Sequence, residues 1–481
     1  MTTFHTDLQD PTLVKTLVHL NELRQATAID ANERLFDQAE LKLRGDSSLY
    51  QNEDLIINEF APLILDIVRS DRTTAGAKTL SIKLLDSILD HYSFDQILDK
   101  FSMNLLIEGL NTNKDELRIM ATHVLLKARP ADIVANTSIV VTLVSLLSNT
   151  DSSVGLVNAV EQCLLQLAAG GELVRRRIKS DEVINVLRQI KADPKVRPRI
   201  YDLIVNLLPI IPDLPDDLYL ISLEEFENED DILLNSLVLS FYTKLLEVAS
   251  TDSRISFVLD KIDEQIDFIT RVYIDLDFKK ELKNFFNLEP VVFLSQLSRI
   301  ATGKFEKVDR TYKILNFAID RYTTKDGDSS SVYLLAKVDP SFFESRDAFT
   351  QGFNLESRTI PIFDNMVKDR TLLLEKLRVT STQIAALEVT DFMEVVQSLT
   401  STDFGIRKLV NDWPSLMTRL LGITNVANPE IWKYKINILE SLYNARGSIG
   451  VWSRRVREEY SLMKNGRPLT SEADVMDTTG P

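Results

Sequence analysis

The stretch LLSNTDSSVG at residues 146–155 decides the fold of this chain. It places an apolar pair before a short polar turn and resumes with the apolar residue Val154. The same order occurs upstream in GLNTNKDELR at 109–118 and downstream in VLRQIKADPKVR at 186–197. A turn that is written three times indicates a repeated structural unit.

The repeated turns lie at a regular distance from one another. Leu110, Leu147 and Leu187 are 37 and 40 residues apart, and a related turn places Val68 another 42 residues back. This period is typical of paired-helix repeats, in which one pair cannot cover its own apolar face and copies stack into a continuous core. The residues after one turn form a helical stripe that we expect to be buried: Leu117, Met120, Ala121, Val124, Leu125 and Ala128. We therefore predict an all-α, HEAT/armadillo-like helical-repeat solenoid, curved and built from a single chain.

The turn at 193–197 is of the HEAT type. Pro194 forbids continuation of the first helix, and its fixed φ suits the start of the second. In such turns an arginine at the place of Arg197 usually holds repeats together, so we predict a structural role for it. Three aspartates are expected to accept hydrogen bonds from the amides of the following helix: Asp115, Asp151 and Asp193.

The predicted solenoid covers residues 1–466, with the clearest repeats at about 55–250 and weaker repeats at 255–460. A further copy places Phe226 before a turn and resumes at Ile232. The segment TTKDGDSSS at 323–331 is expected to be a loop, and residues 467–481 a disordered acidic tail.

Composition narrows the class of partner and the compartment. The chain has 71 acidic and 55 basic side chains and a net charge of −16, which disfavours direct contact with nucleic acid. One cysteine excludes an internal disulfide framework, the N-terminal sequence lacks the order of a secretory signal, and no apolar run approaches the roughly 18 residues of a membrane span. We expect a cytoplasmic protein, present in the nucleus as a second compartment.

Motifs for chemistry are nearly absent. The four histidines have no paired spacing, so no metal site is predicted; they are His5, His19, His91 and His123. ATGKFEK at 301–307 lacks the residues that complete a phosphate-binding loop, and the calcium-loop start at Asp326 and Asp328 lacks the later Gly and Glu. The sequence predicts a protein that is not an enzyme and that has no cofactor.

A basic belt runs against the overall charge. Residues 175–199 carry nine Lys or Arg and only three Asp or Glu. Three interpretations stay open at this point: a solvated outer face, a patch for an acidic protein surface, or a nucleic-acid contact, although no aromatic residues are interleaved for stacking.

The predicted binding surface consists of side chains that fall off the apolar stripe on the second helix of each repeat, which lines the concave side of a HEAT solenoid. Tyr242 and Arg199 are the expected anchors, because aromatic and arginine side chains dominate interface energies. The candidate residues are Arg118, Thr122, Asn158, Glu161, Gln162, Arg199, Asp202, Asn206, Asn235 and Tyr242.

Two segments carry a family resemblance. VRPRIYDLIVNLL at 196–208, and ANPEIWKYKINILESLYNA at 427–445 followed by VREEYSLMKNGRPL, resemble the 26S proteasome non-ATPase regulatory subunit 5 family. Fungal members of that family are also named as DNA mismatch repair proteins. The resemblance implies a chaperone of proteasome base assembly that binds the C-terminal domain of an ATPase subunit, acts on base assembly intermediates, and contacts neither nucleic acid nor a membrane.

Two alternative functions remain within the scaffold class. An armadillo-type adaptor in transport or trafficking often has regular Trp and Asn arrays on its inner helices, whereas Trp413, Trp432 and Trp452 are confined to the C-terminal end here. A scaffold associated with DNA repair is suggested only by the family's fungal name.

Overall fold

The computed structural model describes residues 10–25, 27–50, 55–324, 328–369, 371–424, 427–445 and 447–466, and all regular secondary structure in these ranges is helical. The chain divides into two compact units, one of residues 1–221 with 252–255 and one of residues 222–251 with 256–481. The predicted tail at 467–481 lies outside the described residues, as do His5 and Asp326. The all-α, helical-repeat fold is confirmed, while one continuous solenoid over 1–466 stays a prediction.

The first unit is built from stacked helix pairs. Its second helices, α2, α4, α7, α9 and α12, pack against one another in chain order, and the first helices α1, α3, α6, α8 and α11 pair with them. The bounds are α1 Pro11–Gln25, α2 Glu33–Gly45, α3 Leu55–Arg69, α4 Ala75–Leu89, α5 Phe94–Lys100, α6 Met103–Asn111, α7 Asp115–Leu126, α8 Ile139–Leu147, α9 Val154–Gly170, α10 Glu172–Ile178, α11 Asp181–Ala192 and α12 Arg197–Leu207.

The predicted turns have the expected positions, but the prediction that Asp115, Asp151 and Asp193 accept hydrogen bonds from amides of the following helix is wrong. The carboxylate of Asp115 bonds to the next repeat, and that of Asp193 bonds within its turn. Helix α11 ends at Ala192 and α12 begins at Arg197, and the Asp193 carboxylate accepts a hydrogen bond from the Lys195 amide at 3.0 Å. Ahead of α9, however, the capping side chain is Ser153 and not Asp151, because the Ser153 hydroxyl accepts from an amide of the first helical turn.

The second unit also follows a row of packed helices, α14, α18, α21, α23, α26, α29 and α30. Its bounds are α13 Leu223–Glu227, α14 Ile232–Thr251, α15 Val258–Lys261, α16 Asp263–Ile274, α17 Lys280–Phe285, α18 Glu289–Ile300, α19 Thr302–Tyr312, α20 Ile314–Tyr322, α21 Ser329–Lys337, α22 Asp347–Gly352, α23 Ile360–Asp369, α24 Thr371–Lys376, α25 Ser381–Ala386, α26 Val389–Thr400, α27 Asp403–Arg407, α28 Pro414–Gly422, α29 Pro429–Asn444 and α30 Ser453–Asn465.

Two expectations for this unit need correction. The predicted loop at 323–331 is too long, because Asp328 caps α21 and the helix begins at Ser329. Helix α14 is the one described helix that is long and apolar enough to cross a membrane by length and composition. Half of its most apolar 18-residue stretch is buried within the protein, as in a core helix, and α14 packs against α18.

The predicted stripe on α7 is only partly buried. Ala121, Val124 and Leu125 are buried, and Ala128 beyond the helix end is also buried. Leu117 and Met120, in contrast, remain partly exposed. The reason is local, because the neighbouring first helices α3 and α6 do not close over these two side chains, as described below.

Candidate protein-binding surface

Four of the predicted surface residues are buried, so the expectation that a partner can reach them is wrong. On α7, Arg118 is 8 % exposed and Thr122 is fully buried. On α14, Asn235 is 2 % exposed and Tyr242 is fully buried. Side chains that fall beside an apolar stripe face the neighbouring repeat as often as they face solvent, and the stacking of repeats covers them.

The α7 residues are held by local polar contacts. Arg118 donates to the Asp115 carboxylate at 3.2 Å, and the Thr122 hydroxyl donates to the Ile119 carbonyl at 2.6 Å. Asp115 also accepts a hydrogen bond from the backbone amide of Ser153 in the next repeat, at 2.8 Å. These groups therefore connect two repeats and do not form a binding surface.

The α14 residues lie in an apolar and aromatic environment. The Tyr242 ring makes edge contacts with Phe241 and Phe268, with ring centroids 5.1 and 6.0 Å away. Asn235 donates through its side-chain amide to the Glu229 carbonyl at 2.9 Å. Tyr242 is a core residue of the second unit, and its proposed role as an interface anchor is wrong.

Arg199, the other expected anchor, is also used inside the protein. Its guanidinium donates to the backbone carbonyls of Leu147 and Asn149, at 2.9 and 2.8 Å, in the turn one repeat earlier. Arg197 is 8 % exposed, and its Nε donates to the Lys191 carbonyl at the end of α11, at 2.7 Å. Arg197 is thus buried and bonded within its own helix pair, and a role in holding neighbouring repeats together stays a prediction for it. Arg199 makes the contact to the preceding repeat.

The remaining predicted residues lie on two adjacent helices. On α9, Asn158 and Gln162 are exposed and Glu161 is partly exposed. On α12, which packs against α9, Asp202 and Asn206 are exposed. Each exposed pair is four residues apart and so occupies one helix face. These five positions form the α9/α12 strip, whose role in binding stays a prediction.

The basic belt at 175–199 is largely neutralised by contacts within the protein. Four of its side chains form ion pairs: Arg176 with Glu172, Arg177 with Glu182, Lys179 with Asp213, and Arg188 with Asp217. Four more donate to backbone carbonyls: Arg175, Lys191, Arg197 and Arg199. The belt therefore connects neighbouring turns, and this use of its charges weakens the interpretation as a nucleic-acid patch.

No constellation for catalysis is formed by the described residues. They contain no group of three His, Cys, Asp or Glu side chains that could hold a metal ion. Cys163 is fully buried, and burial raises the pKa of its thiol, so the reactive thiolate is disfavoured. His123 forms an ion pair with Asp86, and His91 stacks on Tyr50. Asp328 caps a helix and pairs with Arg321 at 3.1 Å instead of starting a calcium loop.

The sequence interpretation missed an apolar groove along α3. Two contiguous cavities of about 320 and 350 Å³ share Leu65, Arg69 and Phe101 as lining residues. In the larger cavity one wall is α3 and the other is α6, and the floor comes from α4, α5 and α7. In the smaller cavity α3 faces Lys100 and Phe101 at the end of α5. The longer spacing of 42 residues between Val68 and Leu110 is the available signal, because the short helix α5 is inserted there and separates α3 from α6. We call this feature the α3/α6 groove.

The fold defines the chain as a HEAT-type helical-repeat protein. The solved structure of the karyopherin Kap121p is similar with a TM-score of 0.54 and 12 % identity, covering 96 % of this chain and 53 % of that one. Kap95p, in its complex with RanGDP, matches with a TM-score of 0.52 and 12 % identity, covering 92 % of this chain and 59 % of that one. The chain thus spans little more than half the length of these karyopherins, and the likeness concerns the fold alone.

The chain belongs to the HSM3 family. The family model described as "DNA mismatch repair protein HSM3, N terminal domain" matches residues 17–247, and the corresponding C terminal domain model matches residues 255–480. A relative named DNA mismatch repair protein HSM3 from Debaryomyces hansenii is 22 % identical over 499 residues, covering 97 % of this chain and 98 % of the relative. The protein of the same name from Saccharomyces cerevisiae is 22 % identical over 438 residues, covering 86 % and 89 %.

Proposed function

We propose that this chain is a non-catalytic assembly chaperone of the 26S proteasome base, which binds the C-terminal domain of an ATPase subunit through its repeat surface. The observation that carries the proposal is the match of both family models, which together span nearly the whole chain. The resemblance of residues 196–208 and 427–445 to the proteasome non-ATPase subunit 5 family supplies the partner. An all-helical scaffold with exposed polar positions on successive helices suits such a role.

The surface proposed for this contact is the α9/α12 strip. The side-chain amides of Asn158 and Gln162 are exposed and can exchange water for hydrogen bonds with a partner, and all five positions belong to helices whose buried faces are fixed by the core. Because neither Arg199 nor Tyr242 is available, the strip has no large anchor residue of its own. We therefore expect a polar contact that holds an assembly intermediate and releases it later.

The test is capture of purified C-terminal domains of the base ATPase subunits by the tagged full-length chain. We expect one domain to bind, and a variant with four alanines in the strip to bind it at least tenfold more weakly, about 1.4 kcal/mol, with an unchanged melting temperature. The four substitutions are N158A, Q162A, D202A and N206A. The matched control is N104A with Q189A, which removes two exposed amides from first helices and should leave affinity unchanged.

Two outcomes would contradict parts of this proposal. If none of the ATPase domains binds the wild-type chain, the partner assignment is wrong. If one binds and the four-alanine variant captures it as well as the wild type, the chaperone role stands and the surface lies elsewhere.

A scaffold associated with DNA repair is the second candidate, because the relatives are named DNA mismatch repair proteins. Because the net charge is −16 and the basic belt is paired within the protein, we infer that any such association is with proteins and not with DNA. Capture of mismatch-repair proteins without any proteasomal ATPase subunit would favour this candidate. The likeness to karyopherins is one of fold and does not favour a transport adaptor.

A further inference from the structure

The α3/α6 groove exposes apolar side chains that the repeat architecture normally covers. Leu65 on α3, Leu105 on α6, and Leu117 and Met120 on α7 line it and are only partly buried. In the other repeats of the first unit the first helices pack directly, α1 on α3, α6 on α8 and α8 on α11. The groove is therefore a gap in an otherwise closed layer, and a continuous apolar surface of this kind marks a site for a partner.

The dimensions of the groove suit a short helix. It follows α3 from Ile57 to Arg69, and at the helical rise per residue this corresponds to roughly 18 Å, about three helical turns. The wall that runs along the whole groove is α3, and α6 faces it in the larger cavity; the backbone groups of both helices are already paired within each helix. An extended peptide would need a sheet edge for its own backbone, and the described residues provide none. A helix satisfies its backbone internally and needs only the apolar lining.

The charges at one end of the groove define the chemistry of the occupant. Arg69 ends α3 and Lys114 follows α6, so both side chains lie at the same end of the groove. Among the described residues neither takes part in an ion pair within 4 Å. Burial and the neighbouring ammonium of Lys78 lower the pKa of Lys114, whereas the charges of Glu116 and Asp71 raise it. The net effect disfavours the charged form of Lys114, so a carboxylate brought close by a partner would stabilise that form.

Four acidic residues in the described part of the chain lie near the groove, and none of them is within ion-pair distance of Arg69 or Lys114: Asp66, Asp71, Glu108 and Glu116. Asp66 on the α3 side lies 3.5 Å from the Arg24 guanidinium and is largely compensated by it. Glu108 is exposed on α6, one helical turn before the cationic end. A carboxylate brought in by a partner would meet Arg69 and Lys114 first, and would relieve the repulsion between Lys114 and Lys78.

We propose that the α3/α6 groove binds an amphipathic α-helix of about three turns from an acidic partner segment. Its apolar side chains lie along Leu65 and Leu105, and its Asp or Glu side chains meet Arg69 and Lys114. This site is separate from the α9/α12 strip and does not depend on the proposed function, so the two can be tested apart. It gives the protein a second point of attachment, which suits a scaffold that joins two partners.

The test is a selection on the immobilised full-length chain with a displayed library of 16-residue helix-forming peptides. Parallel selections use L65E, which places a charge in the apolar lining, and R69E/K114E, which reverses the charge of one end. We expect the enriched peptides to share apolar residues at helical spacing and acidic residues at one end. Fluorescence anisotropy with such a peptide should show binding at least tenfold weaker for both variants.

Two comparisons make the result specific. A version of the enriched peptide with its acidic residues changed to lysine should bind R69E/K114E better than it binds the wild type. The control L41E changes a leucine that is 75 % exposed on α2, outside the groove, and should bind the original peptide like the wild type. Melting temperatures of all variants, measured alongside, show that the fold is retained.

Several results would overturn the proposal. It fails if no peptide is enriched on the wild type over L65E, or if the enriched peptides lack acidic residues. It also fails if the chain self-associates in sedimentation experiments and L65E abolishes that association, because the occupant is then a second copy of the chain.

Discussion

The basic belt and the α3/α6 groove lie in the same compact unit, and each differs from what its residue types suggest. Charged residues of the belt are engaged within the protein, whereas apolar residues of the groove are partly exposed. The belt is rich in charged residues, but its arginines form ion pairs or donate hydrogen bonds to carbonyls of neighbouring turns. The groove is lined by apolar residues at helical spacing, and several of them face solvent. In a stack of helix pairs, the character of a residue tells which contacts it can make, while the packing of the next pair decides whether it makes them.

This difference has a direct meaning for function. Charged residues that hold repeats together are unavailable to partners, so a basic segment of the sequence is a poor guide to a binding surface. Apolar residues left uncovered by an inserted helix keep their tendency to leave water, which favours association with another protein. The predictions below test whether packing between helices decides which side chains are engaged within the protein, from the largest expected effect to the smallest.

Replacing Tyr242 by alanine should have the largest effect on stability. Its fully buried ring packs against Phe241 and Phe268 in the second unit, so the substitution leaves a cavity. We expect the free energy of unfolding to fall by about 3–5 kcal/mol in chemical denaturation. Y242F keeps the ring and should lose much less. If Y242A unfolds like the wild type, Tyr242 is a surface residue, and the claim that packing between helices makes it unavailable to a partner is wrong.

Reversing the charge of Arg199 should have an intermediate effect. The substitution R199E removes both hydrogen bonds to the turn at Leu147 and Asn149 and places a carboxylate beside two carbonyl oxygens. We expect a loss of roughly 1–3 kcal/mol in the free energy of unfolding. The control K195E makes the same charge change at an exposed position of the nearby turn and should change stability by no more than about 0.5 kcal/mol. Equal losses in both variants would mean that overall charge, and not the contact, is responsible.

Much of the fold could be predicted from the sequence because it rests on local rules. The recurring polar turn, the proline at 194 and the apolar spacing each act within one repeat, and the structure has a helix pair at every turn that was used. The turn at 193–196 is where expected because the restriction that Pro194 places on the backbone is a short-range effect.

The binding surface was less predictable because it depends on contacts between repeats. Whether Thr122 or Asn158 is exposed depends on how far the next pair rotates and approaches, and one sequence contains no direct record of that angle. The α3/α6 groove has the same origin, because it exists only through the short helix α5 between two pairs. Irregular spacing between repeated turns was the one local signal for it.

The smallest expected effect is a pH dependence of stability at His123. This side chain can carry a charge, is half-buried, and lies at the contact between two repeats. Its Nδ1 lies 2.8 Å from an Asp86 carboxylate oxygen, joining α7 to α4. The hydrogen bond to Asp86 is the main cause of a raised pKa, opposed by burial and by Lys127 and assisted by the charges of Asp86 and Asp90.

The sign of this effect follows from linkage between proton binding and folding. Because the folded state holds the His123 proton more tightly than the unfolded state, the pair stabilises the protein fully below the ordinary histidine pKa of about 6.5, and this contribution is lost as the pH rises through the higher folded pKa. Since the imidazole is 39 % exposed, solvent screening limits the effect to at most about 1 kcal/mol.

The measurement is the difference in unfolding free energy between the wild type and H123Q from pH 5.5 to 8.5, with D86N as the matched control. The difference should shrink with rising pH for H123Q, and D86N should lose the same pH dependence. A difference that stays constant over this range would show that the imidazole is equally protonated in both states and that the contact is only a neutral hydrogen bond.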